Sequence, residues 1–113
     1  MTNFVIHKNR WPWGDSYMIV SNDGYGVCHI GIEDNDPDVA YFSSISVHPV
    51  ARNKGYATRL IRKAIEIAKN EGVREIMFDA VNEKWLIEWY MRLGFTKYGF
   101  TEDGLCKMKK FIR

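Results

Sequence analysis

The N-terminal part of the chain alternates apolar and polar positions in short runs, a pattern typical of strands with one buried face. Four such runs predict strands at residues 3–7, 16–21, 26–33 and 39–47. Residues 22–24 (Asn-Asp-Gly) and residues 34–38 carry the polar and turn-forming side chains that favour tight connections. Residues 8–15, which contain Trp-Pro-Trp-Gly, are predicted to form a loop. The pattern indicates an antiparallel meander.

The spacing of apolar residues changes to that of helices after Tyr56. They recur every three or four positions, at Ala57, Leu60, Ile61, Ala64, Ile65 and Ala68. Gly72 is predicted to end this helix. A second helix is predicted over residues 83–93, closed by Gly94. Its apolar face is predicted at Trp85, Trp89 and Leu93, with Tyr90 beside that face.

Three further runs complete the predicted sheet. Residues 75–81 are mostly apolar, as an inner strand requires, and residues 95–101 and 105–112 flank a Glu-Asp-Gly turn. Because a helix lies between the fourth and fifth strands, those two are predicted to be parallel, joined by a right-handed crossover. The fold class is therefore α/β (α+β), with a mixed, mostly antiparallel seven-stranded sheet and two main helices. We expect residues 1–113 to form a single domain.

The connection from the fourth strand to the first helix has the chemistry of an anion site. Pro49 stops the strand, Gly55 allows a ligand to approach the backbone, and the first N–H groups of a helix point toward anions. Arg52 and Lys54 add positive charge beside those groups. The loop is not a mononucleotide P-loop, since no Gly-Lys-Ser/Thr follows, and it lacks the dinucleotide glycine triplet. It favours a polyphosphate ligand.

Two motifs resemble those of the GNAT family of N-acetyltransferases. The first is Val-x-Pro followed by Arg, Gly and Ala, here Val47, Pro49, Arg52, Gly55 and Ala57. The second is a Tyr followed four residues later by Gly-Phe, here residues 90–95. The resemblance implies binding of acetyl-coenzyme A (acetyl-CoA) as cosubstrate and acetylation of an amine acceptor.

The resemblance also implies roles for individual residues. Those expected to contact the cosubstrate are Ile45, Val47, Arg52, Asn53, Lys54, Gly55, Tyr56, Ala57, Thr58 and Asn82. Tyr90 is expected to act as the general acid that protonates the departing thiolate, a task that suits a protonated phenol. Asn82 lies eight residues before Tyr90, one more than in the family pattern, and it is equally consistent with a helix N-cap.

The general base is the part of the mechanism that the sequence leaves open. Some relatives carry a glutamate on the fourth strand, where this chain has Tyr41, and a phenol of ordinary pKa is a poor base at neutral pH. Asp79 or Glu33 is the predicted base, and His29 is a further candidate. A non-catalytic acyl-CoA sensor or protein-interaction module on the same fold is the alternative function, which the missing carboxylate favours.

The front of the chain departs from the family pattern. Family members usually carry two helices between the first and second strands, whereas about eight residues separate them here. We therefore expect an open acceptor side. Trp11 and Trp13 offer flat surface to a substrate amine, or else pack over a sheet end. A bulky acceptor, or a second subunit that forms a homodimer, would suit such a site.

Composition narrows the functional classes further. Hydrophobic residues make up 46% and charged residues 27% of the chain, the balance of a soluble globular protein. The net charge of +2 is too slight to argue for nucleic-acid binding. Cys28 and Cys106 lack the spacing of a zinc site, so no metal is expected. Neither a membrane span nor a signal peptide is expected, and a cytoplasmic location follows as an expectation.

Overall fold

The computed structural model describes residues 3–113. The strands are β1 (Phe4–Trp11), β2 (Gly14–Ser21), β3 (Gly26–Glu33), β4 (Val39–Val47), β5 (Glu75–Ala80), β6 (Thr96–Phe100) and β7 (Cys106–Phe111). The α-helices are α1 (Tyr56–Asn70) and α2 (Lys84–Arg92), and a short 3-10 turn covers Pro49–Ala51. Met1 and Thr2, which begin the polar start of the sequence, lie outside the described residues.

The seven strands form one sheet in the order β1-β2-β3-β4-β5-β7-β6. The β4–β5 pair is parallel and the other pairs are antiparallel. This confirms the mixed sheet predicted from the sequence, including the parallel crossover through α1. Among residues 3–113, no helix combines the length and apolar character that crossing a membrane requires.

Both helices pack on the same face of the sheet. The buried residues of α1 are Leu60, Ile61, Ala64 and Ala68, four of the six apolar positions predicted. The prediction for α2 was wrong for Trp85, which is 68% exposed, whereas Trp89 and Leu93 are partly buried against the core. The fully buried residues of α2 are Ile87 and Tyr90, which were not predicted for that face. Bulky apolar residues outnumber the buried positions of this short helix, so spacing alone does not identify its buried face.

The predicted loop at residues 8–15 was also wrong. Strand β1 continues to Trp11, and β2 begins at Gly14, so Pro12 and Trp13 alone connect them. Nearly all of β1 is exposed because it is an edge strand, and an exposed strand shows no apolar alternation. With two residues between them, β1 and β2 leave no room for intervening helices.

Gly14, the first residue of β2, allows β3 to approach closely. A Cβ at this position would lie 2.1 Å from the Ile32 carbonyl oxygen of β3, and φ is +156°. We expect Gly14→Ala to lower the free energy of unfolding by about 2 to 3 kcal/mol, because β2 must move away from β3. Urea denaturation of both proteins measures the difference.

Gly104→Ala is the matched control for this prediction. Gly104 also has a positive φ, but a Cβ there meets nothing within 4 Å. Its substitution should therefore cost about 1 kcal/mol, from backbone strain alone. Equal stability losses in the two variants would contradict the close approach of β2 to β3.

Strands β4 and β5 pair over Val39–Tyr41 and Glu75–Met77. Beyond these residues β4 pairs with β3, and β5 pairs with β7, so the two strands separate. We call the opening between residues 42–47 and residues 78–80 the fork. A β-bulge in β4 at Ser43 lies inside it, between the pairs His29–Ser44 and Ile30–Phe42. The fork places an unpaired strand edge beside the helix-bearing face.

Candidate functional site

A groove of about 790 Å³ runs along the fork on the helix-bearing face. Its walls come from β4, from the loop that leads to α1, and from α2. The lining residues are Ile45, Ser46, Val47, Ala51, Arg52, Asn53, Gly55, Tyr56, Ala57, Thr58, Trp85, Leu86, Trp89, Tyr90 and Arg92. The structure therefore brings the loop predicted to bind phosphate and the predicted acid Tyr90 into one cavity.

The loop end of this groove is built to bind an anion. Asn53 and Gly55 have φ of 64° and 81°, left-handed values that turn the chain sharply before α1. Gly55 is the N-cap of α1 and provides no side-chain cap, and the first turn carries no acidic residue. The positive end of the helix dipole therefore opens into the groove.

Arginine side chains lie in the groove or in the loop beside it. The Arg52 Nε donates a hydrogen bond to the Val47 carbonyl, at 3.3 Å, which holds Arg52 against the end of β4. The Arg59 Nη1 donates to the Lys54 carbonyl at 3.1 Å. Arg92 of α2 also lines the groove. These fixed charges match a ligand with several phosphate groups.

Tyr56 fastens this loop to the β2–β3 turn. Its hydroxyl donates to Asp23 Oδ2, while the Ser21 hydroxyl donates to Asp23 Oδ1 at 2.7 Å. The Tyr56 bond and then the Ser21 bond are the main causes of the lowered pKa of Asp23. The sequence did not reveal this contact, since Asp23 lies 33 residues before Tyr56.

The edge of β4 presents backbone donors to the fork. The His48 N–H donates to the Tyr25 carbonyl of the neighbouring chain segment before β3, at 2.7 Å. Along an antiparallel ladder every second residue directs its N–H to the same neighbour, and the residues between direct theirs to the opposite side. The N–H groups of Ile45 and Val47 therefore point away from β3 and into the fork. An oxygen of a ligand lying in the groove can accept hydrogen bonds from them.

Tyr90 forms the far end of the groove. Its ring is 6% exposed and lies 4.6 Å from the Phe78 ring, which in turn lies 5.6 Å from Phe42 and 5.0 Å from Phe95. Burial raises the pKa of the Tyr90 hydroxyl. The phenol is therefore protonated at neutral pH and available as a proton donor.

Two predicted cosubstrate residues do not line the groove. Lys54 is exposed, and only its carbonyl is engaged in the loop, by Arg59. Asn82 is exposed between β5 and α2, and the N-cap of α2 is Glu83, so the N-cap interpretation of Asn82 was wrong. The side chains that sequence reasoning missed are Ser46, Ala51, Trp85, Leu86, Trp89 and Arg92. Most lie on α2, whose orientation the sequence did not reveal.

The candidate bases lie on the opposite sheet face. His29 and Glu33 line a second groove there, of about 620 Å³, together with Tyr41. Asp79 lines neither groove, and it lies opposite Lys107 of β7 in the register of the sheet. The His29 Nδ1 lies 2.9 Å from the Ser44 hydroxyl oxygen on β4. Among residues 3–113, no group of three or more His, Cys, Asp or Glu side chains is placed to hold a metal ion.

Comparison with known proteins gives a consistent result. A family model described as the acetyltransferase (GNAT) family matches residues 3–95. An uncharacterized N-acetyltransferase of Methanocaldococcus jannaschii is 39% identical over 126 aligned residues, covering 95% of this chain and 55% of that protein. N-alpha-acetyltransferase 30 of Schizosaccharomyces pombe is 27% identical, covering 84% of this chain and 64% of that protein. The chain thus spans between 55% and 64% of the length of these relatives.

A solved structure extends the likeness to the fold. The Bacillus subtilis acetyltransferase in complex with CoA superposes with a TM-score of 0.72 at 16% identity, covering 96% of this chain and 99% of that one. At this identity the likeness concerns the fold. It supports the mixed sheet with its parallel β4–β5 pair.

Proposed function

Since this chain belongs to the GNAT family of acetyltransferases, we propose that it transfers the acetyl group of acetyl-CoA to a primary amine. The observation that carries the proposal is the continuous groove from the α1 N-terminus to Tyr90. One end has the charge and helix dipole for phosphates, and the other holds a buried proton donor beside an unpaired strand edge. A thioester linked to a polyphosphate needs the first end to bind its phosphates and the second to protonate its departing sulfur.

The residues of the groove fit this cosubstrate in order. Arg52 and the first-turn N–H groups of α1 hold the pyrophosphate. Ile45 and Val47 lie between the loop and Tyr90 along β4, where their N–H groups bind the amide and thioester oxygens of the extended arm. Trp85 and Trp89 cover the apolar parts of that arm from α2.

The proposed reaction is a direct transfer. The neutral amine attacks the thioester carbonyl, so a C–N bond forms while the backbone N–H groups of β4 stabilise the oxyanion. The C–S bond then breaks, and Tyr90 gives its proton to the departing thiolate. Solvent returns a proton to Tyr90, and the proton lost by the amine leaves through a base.

We assign that base to Glu33, acting through water, rather than to Asp79. Glu33 lines the second groove, on the face of the sheet without helices, whereas Asp79 does not. An amine that enters from that face reaches the thioester through the fork. Replacement of Glu33 by Gln should then lower kcat, and replacement of Asp79 by Asn should not.

One observation favours a different function. Neither Glu33 nor Asp79 lines the groove that holds Tyr90, and Tyr41 occupies the strand position where some relatives carry a glutamate. A non-catalytic acyl-CoA sensor would need the groove without a base. Release of free thiol in the presence of an amine distinguishes the enzyme from the sensor.

Calorimetric titration of the protein with acetyl-CoA tests the binding step. We expect a Kd in the micromolar range for acetyl-CoA and for CoA, and a much weaker one for ATP, because ATP lacks the arm that contacts β4 and α2. A thiol-release assay over a panel of amines then tests the transfer. Absence of acetyl-CoA binding would contradict the proposed function.

A further inference from the structure

The second groove lies on the face of the sheet that no helix covers. Strand residues that line it, such as Ser16 and Tyr41, alternate with residues buried on the helix-bearing face, such as Tyr17 and Ala40. We call it the tryptophan groove, because Trp11 and Trp13 form one wall, while His29, Glu33 and Tyr41 complete it. Its volume of about 620 Å³ is in the range of small-molecule sites.

Both indole rings of the tryptophan groove are held in place. The Trp11 Nε1 donates a hydrogen bond to the Ser16 hydroxyl at 2.7 Å. The Trp13 ring lies on the backbone of Gly31, where a Cβ would come within 3.3 Å of it. Even so, Trp11 and Trp13 remain 46% and 47% exposed. Rigid, half-exposed aromatic faces bind a ligand with little loss of side-chain entropy.

The charge around this groove suits a cation. Glu33 lines it, and the Tyr41 hydroxyl lies 3.5 Å from Asp36 Oδ2. Desolvation, and then the charges of Asp36 and Glu33, raise the pKa of Tyr41. None of the described residues that line the groove is a lysine or an arginine. Lys107 and Lys109 lie on the same sheet face, over the Tyr98 ring.

The two grooves approach each other along β4. Ser43 lines the tryptophan groove, whereas Ile45 and Ser46 line the groove assigned to acetyl-CoA. All three residues lie in the part of β4 that does not pair with β5. A ligand in the tryptophan groove can therefore extend a short chain through the fork toward the groove that contains Tyr90.

We propose that the tryptophan groove binds the acceptor, and that this acceptor is an alkyl amine with a second positive charge along its chain. The inference rests on the proposed function, because the acceptor bound in this groove supplies the amine that the transfer requires. The second cation lies against the faces of Trp11 and Trp13, within the field of Glu33 and Asp36, while the reacting amine extends to the fork. A free diamine and a basic peptide segment share this chemistry.

The test compares amines that differ in one charge. With the full chain and saturating acetyl-CoA, kcat/KM for 1,5-diaminopentane should exceed that for 1-aminopentane at least tenfold. Replacing Trp13 by Leu should raise KM for the diamine and reduce this ratio to about two, and Trp11→Leu should act in the same direction. A peptide with adjacent lysines, compared with one carrying glutamates at those positions, distinguishes a peptide acceptor from a free diamine.

Matched controls separate binding from folding and from catalysis. Tyr98→Leu replaces an exposed aromatic residue on the same sheet face, outside the groove, and should leave the diamine preference unchanged. Circular dichroism confirms that each variant is folded. In Glu33→Gln, a selective rise in KM for the diamine reports loss of charge recognition, whereas an equal fall in kcat for both amines reports loss of the base.

A binding measurement that does not depend on turnover distinguishes failure of this inference from failure of the proposed function. Titration with the diamine should change the tryptophan fluorescence saturably in the wild type, and the change should weaken at least fivefold in Trp13→Leu. Saturable diamine binding without any acetylation would overturn the proposed function alone. Equal kcat/KM for the two amines, or a diamine preference that persists in both tryptophan variants, would overturn the inference.

Discussion

Gly55→Val is expected to reduce the affinity for acetyl-CoA at least a hundredfold. Gly55 has a φ of 81°, which a β-branched side chain adopts only with strain, and a Cβ there would lie 2.9 Å from the Arg59 Nη1. The substitution displaces the Arg59 side chain that is bonded to the loop and shifts the first turn of α1. Because the N–H groups of that turn are the proposed phosphate donors, the site loses its geometry.

Isothermal titration calorimetry measures this loss, with Gly104→Val as the control. Gly104 has a φ of 88° in the β6–β7 turn, and a side chain there meets nothing within 4 Å. Both variants carry the same backbone strain, but only one changes the loop. Unchanged affinity in Gly55→Val, with the protein folded, would remove the loop from the binding site.

Tyr90→Phe is expected to lower kcat about a hundredfold, the usual effect of losing a general acid. The ring packs against Phe78 and Phe95, with centroids 4.6 and 6.0 Å away, and phenylalanine keeps this packing. The affinity for acetyl-CoA should therefore stay within twofold of the wild type. Steady-state kinetics and calorimetry on the same preparation separate the two effects.

The pH profile provides an independent check on the role of Tyr90. An acid must be protonated to act, so its contribution is lost as the pH rises through its pKa. Since burial raises that pKa above the ordinary value of about 10, Tyr90 should cause no loss of kcat below about pH 10. The exposed Tyr98 is the matched control, and Tyr98→Phe should behave as the wild type. Wild-type turnover in Tyr90→Phe would remove the acid assignment.

Most of the fold could be predicted from the sequence because its signals are local. The helical spacing of Leu60, Ile61 and Ala64, and the turn residues at 22–24 and 102–104, mark elements without any knowledge of the tertiary structure. The β1–β2 hairpin could not be predicted in this way. Its polar residues pair with β2 at the sheet edge, and Gly14 is required by the Ile32 carbonyl of a third strand.

The candidate site shows the same division between local and long-range information. The loop around Gly55 and the position of Tyr90 follow from short motifs, and the structure places both in one groove. The α2 wall of that groove depends on which face of the helix is buried, and the Asp23–Tyr56 contact depends on pairing distant in sequence. Neither the buried face of α2 nor the Asp23–Tyr56 contact can be recognised from residues that are neighbours in the sequence.

The fork also marks the boundary between two parts of the sheet. Strands β1–β4 with α1 lie on one side of it and β5–β7 with α2 on the other, since α1 packs on β2, β3 and β4, while α2 packs against β5 and β6. The short β4–β5 ladder joins the two parts, with the Phe42–Phe78 contact at its side. Few backbone bonds cross this seam, so the side chains of the shared hydrophobic core, Phe42 and Phe78 among them, supply most of the connection between the two parts.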